Sequence, residues 1–312
     1  MVKARHRLDG IVYAVKITKK VLRPNSRDER VAMNEVFAHA AMMKHRHIVR
    51  YFNSWVESGH LHIQNEFCEG GSLDRQIEEC RERGDRFAEA ELKKLLVQVG
   101  RGLQYLHGKR LVHLDIKPGN ILITFGEEDT GIAPLPVSPD SGAASGDGSL
   151  APSHYHATGD AVKYKIGDLG HVVKVQEGVG AAEEGDCRYM APEFLNMDPV
   201  PGPQLLKADI FSTGLTVYEA ARLVRLPKNS EEGEDYQELK AGRLAQVDLY
   251  SRELQVLLKS MVNPVPSLRP TADKLLANHL LNPSAFKSKT QLRKELKQTT
   301  EKVGQNLPVI DS

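Results

Sequence analysis

No apolar run in this sequence approaches the ~18 residues that a membrane-spanning helix requires, and the first residues lack the basic-then-apolar pattern of a secretory leader. These absences set the expectation of a soluble, intracellular protein that engages no membrane. Cysteine is scarce: Cys68, Cys80 and Cys187 share neither a metal-type nor a disulfide-type spacing, which fits a reducing compartment. An excess of one charge is also lacking. Lys plus Arg is 42 and Asp plus Glu is 41, so no net field draws the chain to nucleic acid or to an anionic bilayer. No internal repeat is visible, and 312 residues suit one or two domains.

What is present starts with His113-Leu114-Asp115-Ile116-Lys117-Pro118-Gly119-Asn120, followed by the apolar Ile121-Leu122-Ile123. This stretch places a carboxylate, an ammonium and a carboxamide at the spacing that phosphoryl transfer from ATP requires. Asp115 is suited to accept from a substrate hydroxyl and orient it, Lys117 to neutralise charge on the moving group, and Asn120 to ligate magnesium. Upstream, Tyr13-Ala14-Val15-Lys16 matches the strand lysine that contacts ATP phosphates, with Glu35 as its expected ion-pair partner. Downstream, Asp168-Leu169-Gly170 follows the strand-like Tyr164-Lys165-Ile166 and supplies a hard-oxygen ligand for magnesium. Asp-Leu-Gly alone is a common turn, and Lys16 alone an exposed strand-end lysine; their order around the loop carries the assignment. Two structural roles complete the set. Glu193 of Ala191-Pro192-Glu193 matches the kinase glutamate that pairs with a buried arginine, for which Arg269 is the candidate, and Asp209 resembles the helix aspartate that fixes the catalytic-loop backbone in kinases.

The expected fold is α+β: a bilobal protein kinase with a small β-rich N-lobe (residues 1–67) and a larger helical C-lobe (residues 68–285). Strand character covers residues 2–8, 11–17, 49–57, 61–67 and 162–166. Helical periodicity covers residues 28–44, with Val31, Val36 and Ala40 on or near one face and Glu35 within it. It also covers 89–107, which turns Leu92, Leu95, Leu96, Val99, Leu103 and Leu106 inward, and then 207–222, 251–261 and 271–278. Ser72, after Gly70-Gly71, is a helix N-cap candidate. Residues from about 126 to 160 are rich in Gly, Pro, Ser, Ala and Asp and read as a mobile insert. Residues 286–312 read as a basic, helix-prone tail whose lysines cover a solvated face. His39, His45 and His47 are expected on helix and loop surface, and His154 and His156, in the insert, carry no site.

The segments Ile63-Gln64-Asn65-Glu66-Phe67-Cys68-Glu69-Gly70-Gly71, Lys165-Ile166-Gly167-Asp168-Leu169-Gly170-His171 and Glu183-Glu184-Gly185-Asp186-Cys187-Arg188-Tyr189 resemble the Wee family of protein kinases. Met190-Ala191-Pro192-Glu193 departs toward the Myt-type relative, which differs in carrying a membrane segment. The resemblance implies ATP and Mg2+ as cofactors and an inhibitory phosphate placed on a tyrosine of a cyclin-dependent kinase–cyclin complex. It also implies a monomer acting in the nucleus on mitotic entry. Asn65 would be a polar gatekeeper, with backbone groups of Glu66 and Cys68 binding adenine. Lys117 alone would indicate a serine/threonine kinase; tyrosine specificity rests on the resemblance. Leu114 stands where kinases commonly carry an arginine that clasps a loop phosphate, and no hydroxyl residue lies between Leu169 and Arg188. Activity is therefore expected without loop phosphorylation, with Glu183, Glu184 and Asp186 ordering the segment through basic groups.

One absence cuts the other way. No Gly-x-Gly-x-x-Gly loop precedes Lys16, because residues 2–8 already read as the second strand. Two alternatives therefore stay open: a catalytically weak kinase-fold binding module, and a serine/threonine kinase resembling those of translation initiation factor two, which His47-Ile48-Val49-Arg50-Tyr51-Phe52-Asn53-Ser54-Trp55 also resembles.

Overall fold

A computed structural model describes residues 1–283 apart from 9, 24–25, 41, 127–161, 178–184, 197–199, 230 and 232–234. The insert beyond Gly126 and the basic tail thus lie outside the described residues, as do Glu183 and Glu184.

The β-branched and aromatic segments pair first. Strands β1 (Val2–Arg5), β2 (Val12–Ile17), β3 (Tyr51–Glu57) and β4 (His60–Glu66) form one antiparallel sheet in the order β1-β2-β4-β3. Helix α1 (Arg27–Ala40) packs against it, and Ala32 shares a small core with Leu61 and Ile63. After residues 66–68, the hinge at the end of β4, Ser72 caps α2 (Leu73–Arg83) by accepting from the Arg75 N–H. Helix α3 (Glu89–Gly108) buries its six expected residues because they recur at three- and four-residue spacing. At Gly102 a Cβ would lie 2.7 Å from Ile166 Cδ1 and 2.8 Å from the His47 carbonyl, so only glycine lets this helix approach the strand beside it.

Two short ribbons frame the chemistry. Strand β5 (Leu111–Val112) pairs with β8 (Val173–Lys174), and β6 (Ile121–Phe125) pairs with β7 (Val162–Ile166). Beneath them run α4 (Pro192–Leu195), α5 (Gly202–Arg222), α6 (Asp235–Lys240), α7 (Arg252–Met261) and α8 (Ala272–Leu276). Residues 208–221 of α5 are all buried, the signature of a helix at the centre of its lobe.

The boundaries differ from the sequence reading for local reasons. Helix α1 stops at Ala40, and its inner face is Ala32, Glu35, Ala38 and His39; Val36 is half-buried, Ala40 is exposed, and Val31's side chain lies outside the described ones. Strand β3 begins at Tyr51, because the Val49 N–H goes to the Ile166 carbonyl and the Arg50 carbonyl takes the Glu66 N–H. Helix α5 begins at Gly202, since Pro203 fits a first turn that needs no N–H.

His39 and His47 correct the surface expectation: each is 3% exposed. The His39 ring stacks on Tyr51 at 5.2 Å, and His47 Nδ1 lies 3.1 Å from the Tyr164 carbonyl. Burial pushes each imidazole down to about 4, so both are neutral at pH 7. The sign follows directly. Above the ordinary value of 6.5 neither state binds the proton; below it the unfolded chain binds more, and stability falls as pH drops toward 4. His39→Phe keeps the stacked ring and removes the titration. Between pH 7 and pH 5 wild type should lose about 2 kcal/mol more than this variant in urea unfolding. A stability gap independent of pH would contradict the buried neutral imidazole.

Candidate active site

The loop between β5 and β6 is held from below. Asp209 of α5 is 0% exposed and accepts from the His113 N–H and the Leu114 N–H, both at 2.9 Å, and pairs with His107 Nε2 at 2.8 Å. These bonds hold Leu114 at φ +63°, a left-handed conformation that a leucine adopts only under constraint. The fully buried His113 ring is fixed at both nitrogens. Nδ1 accepts from the Asp115 N–H at 3.2 Å, so Nε2 carries the proton toward the Gly167 carbonyl at 3.1 Å. Burial pushes this imidazole down, in keeping with its neutral tautomer.

Asp115 is thereby presented with both oxygens engaged. Lys117 Nζ donates to Oδ1 at 2.9 Å and lies 2.7 Å from Oδ2, and Asn120 Nδ2 donates to Oδ2 at 2.7 Å and to the Asp115 carbonyl at 2.9 Å. The sequence places these three together, and the fold does so as well. It adds His171, whose Nδ1 lies 3.7 Å from Asp115 Oδ2.

Across the cleft, Lys16 of β2 donates to both Glu35 oxygens at 2.9 and 3.0 Å and to Asp168 Oδ1 at 2.7 Å. Three segments far apart in sequence meet at one ammonium. Burial works to lower the Lys16 value, but Glu35 and Asp168 outweigh it and hold it raised. The two carboxylates respond oppositely to the shared partner. Burial dominates at Glu35 and pushes it up; at Asp168 the lysine overcomes burial and holds it down. We place the firmer negative charge on Asp168, the less buried of the two side chains. It sits at φ +56°, a turn that aims its carboxylate back at Lys16.

The residues suit a magnesium nucleotide. Among the described residues no cluster of three His, Cys, Asp or Glu side chains could hold a metal by itself. Magnesium needs none, since it takes phosphate and water oxygens beside one or two protein ligands. Asn120 spends its Nδ2 on Asp115, so Oδ1 is the atom it could offer a metal. At the hinge, Asn65 is buried with its Oδ1 unpartnered, an acceptor facing no protein donor. The Glu66 N–H is committed to Arg50 and the Cys68 carbonyl to the Gly71 N–H, which narrows what the hinge can offer.

The closing segment is anchored as expected. Glu193 (4% exposed) and Arg269 (2%) form a bidentate pair at 2.6 and 2.7 Å. Asp186 pairs with Arg188, which holds the Asp186 carboxyl below its usual range against burial, and the Asp186 N–H reaches toward Asp115 Oδ1 at 3.4 Å. Sequence reasoning missed three participants here: Lys240, Ser212 and the bond from the Tyr189 hydroxyl to Glu219 Oε2 at 2.6 Å. Their contacts go to main-chain carbonyls or to a lone phenol, which no residue pattern announces.

The protein kinase domain matches residues 1–281. Over 301 residues the chain is 42% identical to a Wee1-like protein kinase of Drosophila melanogaster, covering 95% of this chain and 46% of that one. It is 43% identical over 292 residues to Wee1-like protein kinase 2 of Danio rerio, covering 93% and 51%. With Wee1-like protein kinase 1-B of Xenopus laevis it shares 42% over 295 residues, covering 94% and 45%. The chain thus spans about half the length of these curated relatives. No helix among the described residues is long and apolar enough to cross a membrane. With the kinase domain matched over nearly all its described length, this chain belongs to the protein kinase family and is similar to Wee1-like protein kinases.

Proposed function

We propose that this chain transfers a phosphoryl group from ATP to a tyrosine of a cyclin-dependent kinase–cyclin complex, an inhibitory mark on mitotic entry, acting as a monomer in the nucleus. The reading is carried by one observation: likeness to Wee1-like protein kinases extends over more than nine-tenths of the chain. ATP supplies the phosphoryl group, and magnesium neutralises its oxygens. Lys16, aimed by Glu35, would meet phosphate, and Asp168 and Asn120 would hold the metal. Adenine takes the Glu66 carbonyl and the Cys68 N–H beside Asn65. Asp115 accepts from the acceptor hydroxyl and orients it for in-line attack, while Lys117 faces the charge that develops.

The Asp186–Arg188 pair does the work that a loop phosphate does elsewhere. A Glu183→Gln/Glu184→Gln/Asp186→Asn variant should lose about tenfold or more in kcat, the scale of charge-assisted bonds; full activity would remove the acids from the account. The reading itself is tested by incubation with ATP, magnesium and a catalytically dead cyclin-dependent kinase–cyclin complex. Phosphotyrosine absent from an Asp115→Asn control supports it. Phosphoserine would favour the initiation-factor-kinase likeness, to which Lys117 also belongs. Binding of the complex without transfer would favour a docking module.

A further inference from the structure

Lys240, the last residue of α6, is 7% exposed, and among the described residues no carboxylate pairs with it. Its Nζ donates instead to the Arg188 carbonyl at 2.9 Å and the Met190 carbonyl at 2.7 Å. The carbonyl between them, that of Tyr189, accepts from Ser212 Oγ at 2.9 Å. Three consecutive main-chain acceptors are therefore taken by side chains of the helical lobe. The ammonium lies against the rings of Tyr236 (5.2 Å) and Phe211 (5.6 Å), and Phe211 also meets Arg269 at 4.8 Å. Burial pulls this amine down to about 7, a measure of what it costs to keep a cation there. An apolar side chain would fill the same space without that penalty. The distinctive thing the amine provides is the fixed course of residues 188–190.

That course leads away from the reacting group. Asp186 N–H reaches toward Asp115 Oδ1, and a Cβ at Gly185 would lie 3.0 Å from the Leu114 carbonyl, so residues 185–186 adjoin the acceptor position. A polypeptide whose hydroxyl sits at Asp115 meets residues 185–186, and residues 188–190 continue that same segment. We infer that Lys240 is a positioning residue for the polypeptide substrate, shaping the surface under the residues that flank the acceptor and taking no part in ATP binding. This inference rests on the protein kinase reading and not on the identity of the acceptor.

The test uses the full chain with Lys240→Met and Ser212→Ala, reading KM for polypeptide, KM for ATP, and ATP hydrolysis without acceptor. Acceptors are the dead cyclin-dependent kinase–cyclin complex and a poly(Glu,Tyr) copolymer. Lys240→Met should raise polypeptide KM about tenfold with ATP KM and hydrolysis within twofold of wild type; Ser212→Ala should show the same pattern at smaller size. If Lys240→Met does not fold, Ser212→Ala decides. Unchanged polypeptide KM, or equal damage to ATP KM, overturns the inference. Transfer by wild type to the copolymer but not to the complex would overturn the proposed acceptor and leave the Lys240 result standing.

Discussion

Asp115→Asn should lower phosphotransfer by about 10²- to 10⁴-fold, the range over which positioned proton acceptors act, with ATP KM changed less than threefold. The substitution is nearly isosteric, yet the site has no tolerance for it. Oδ1 accepts from Lys117 and Oδ2 from Asn120, with Lys117 also 2.7 Å from Oδ2. Whichever way an asparagine amide is turned, its NH2 meets a donor from one of them. The replaced side chain thus loses its acceptor for the substrate hydroxyl and is pushed out of register with Asn120. Lys16, Glu35 and Asp168 sit on other elements and stay in place, so nucleotide binding should survive. Steady-state kinetics with a polypeptide acceptor, alongside nucleotide titration, separates the two. Activity within tenfold of wild type would mean that Asp115 does not orient the acceptor.

This loop could be read from sequence because its members are contiguous and each must touch another. The Lys16–Glu35–Asp168 cluster could be read for a different reason: an ammonium on one strand and carboxylates on two later elements are complementary charges that kinase chemistry requires together. Helix α3 was legible from period alone. Where the reading failed, the governing contact was not encoded in residue type. Helix α1 buries alanines, a glutamate and His39, so its inner face does not look apolar, and Ala40, grouped by period with Val36, is exposed. His47 is buried because Gly102 lets α3 close on it, a contact between distant segments. Lys240 is satisfied by carbonyls, which every residue possesses, and so leaves no partner to search for. Arg269 was found only because a carboxylate, Glu193, awaited it.

That last pair carries the largest stability effect expected. A guanidinium has five N–H donors, and all five of Arg269's are spoken for. Nη1 donates to Glu193 Oε1 and the Lys207 carbonyl, Nη2 to Glu193 Oε2 and the Pro264 carbonyl, and Nε to the Asn263 carbonyl. Removing it strands one buried carboxylate and three carbonyls. Arg269→Met should therefore destabilise the protein by about 3–5 kcal/mol, the scale for breaking a buried pair, and lower Tm by roughly 10 °C for a domain of this size. Arg269→Lys should recover little, since an ammonium has three donors and cannot bind a carboxylate through a planar fork. Glu193→Gln in the Arg269→Met background removes the stranded charge, so the double variant should be more stable than Arg269→Met alone. Thermal and urea unfolding of these three variants and of Glu193→Gln alone measures this. A loss under about 1 kcal/mol for Arg269→Met, or strict additivity in the double variant, would show that the pair is solvent-relaxed and that α4 is held to α5 by packing alone.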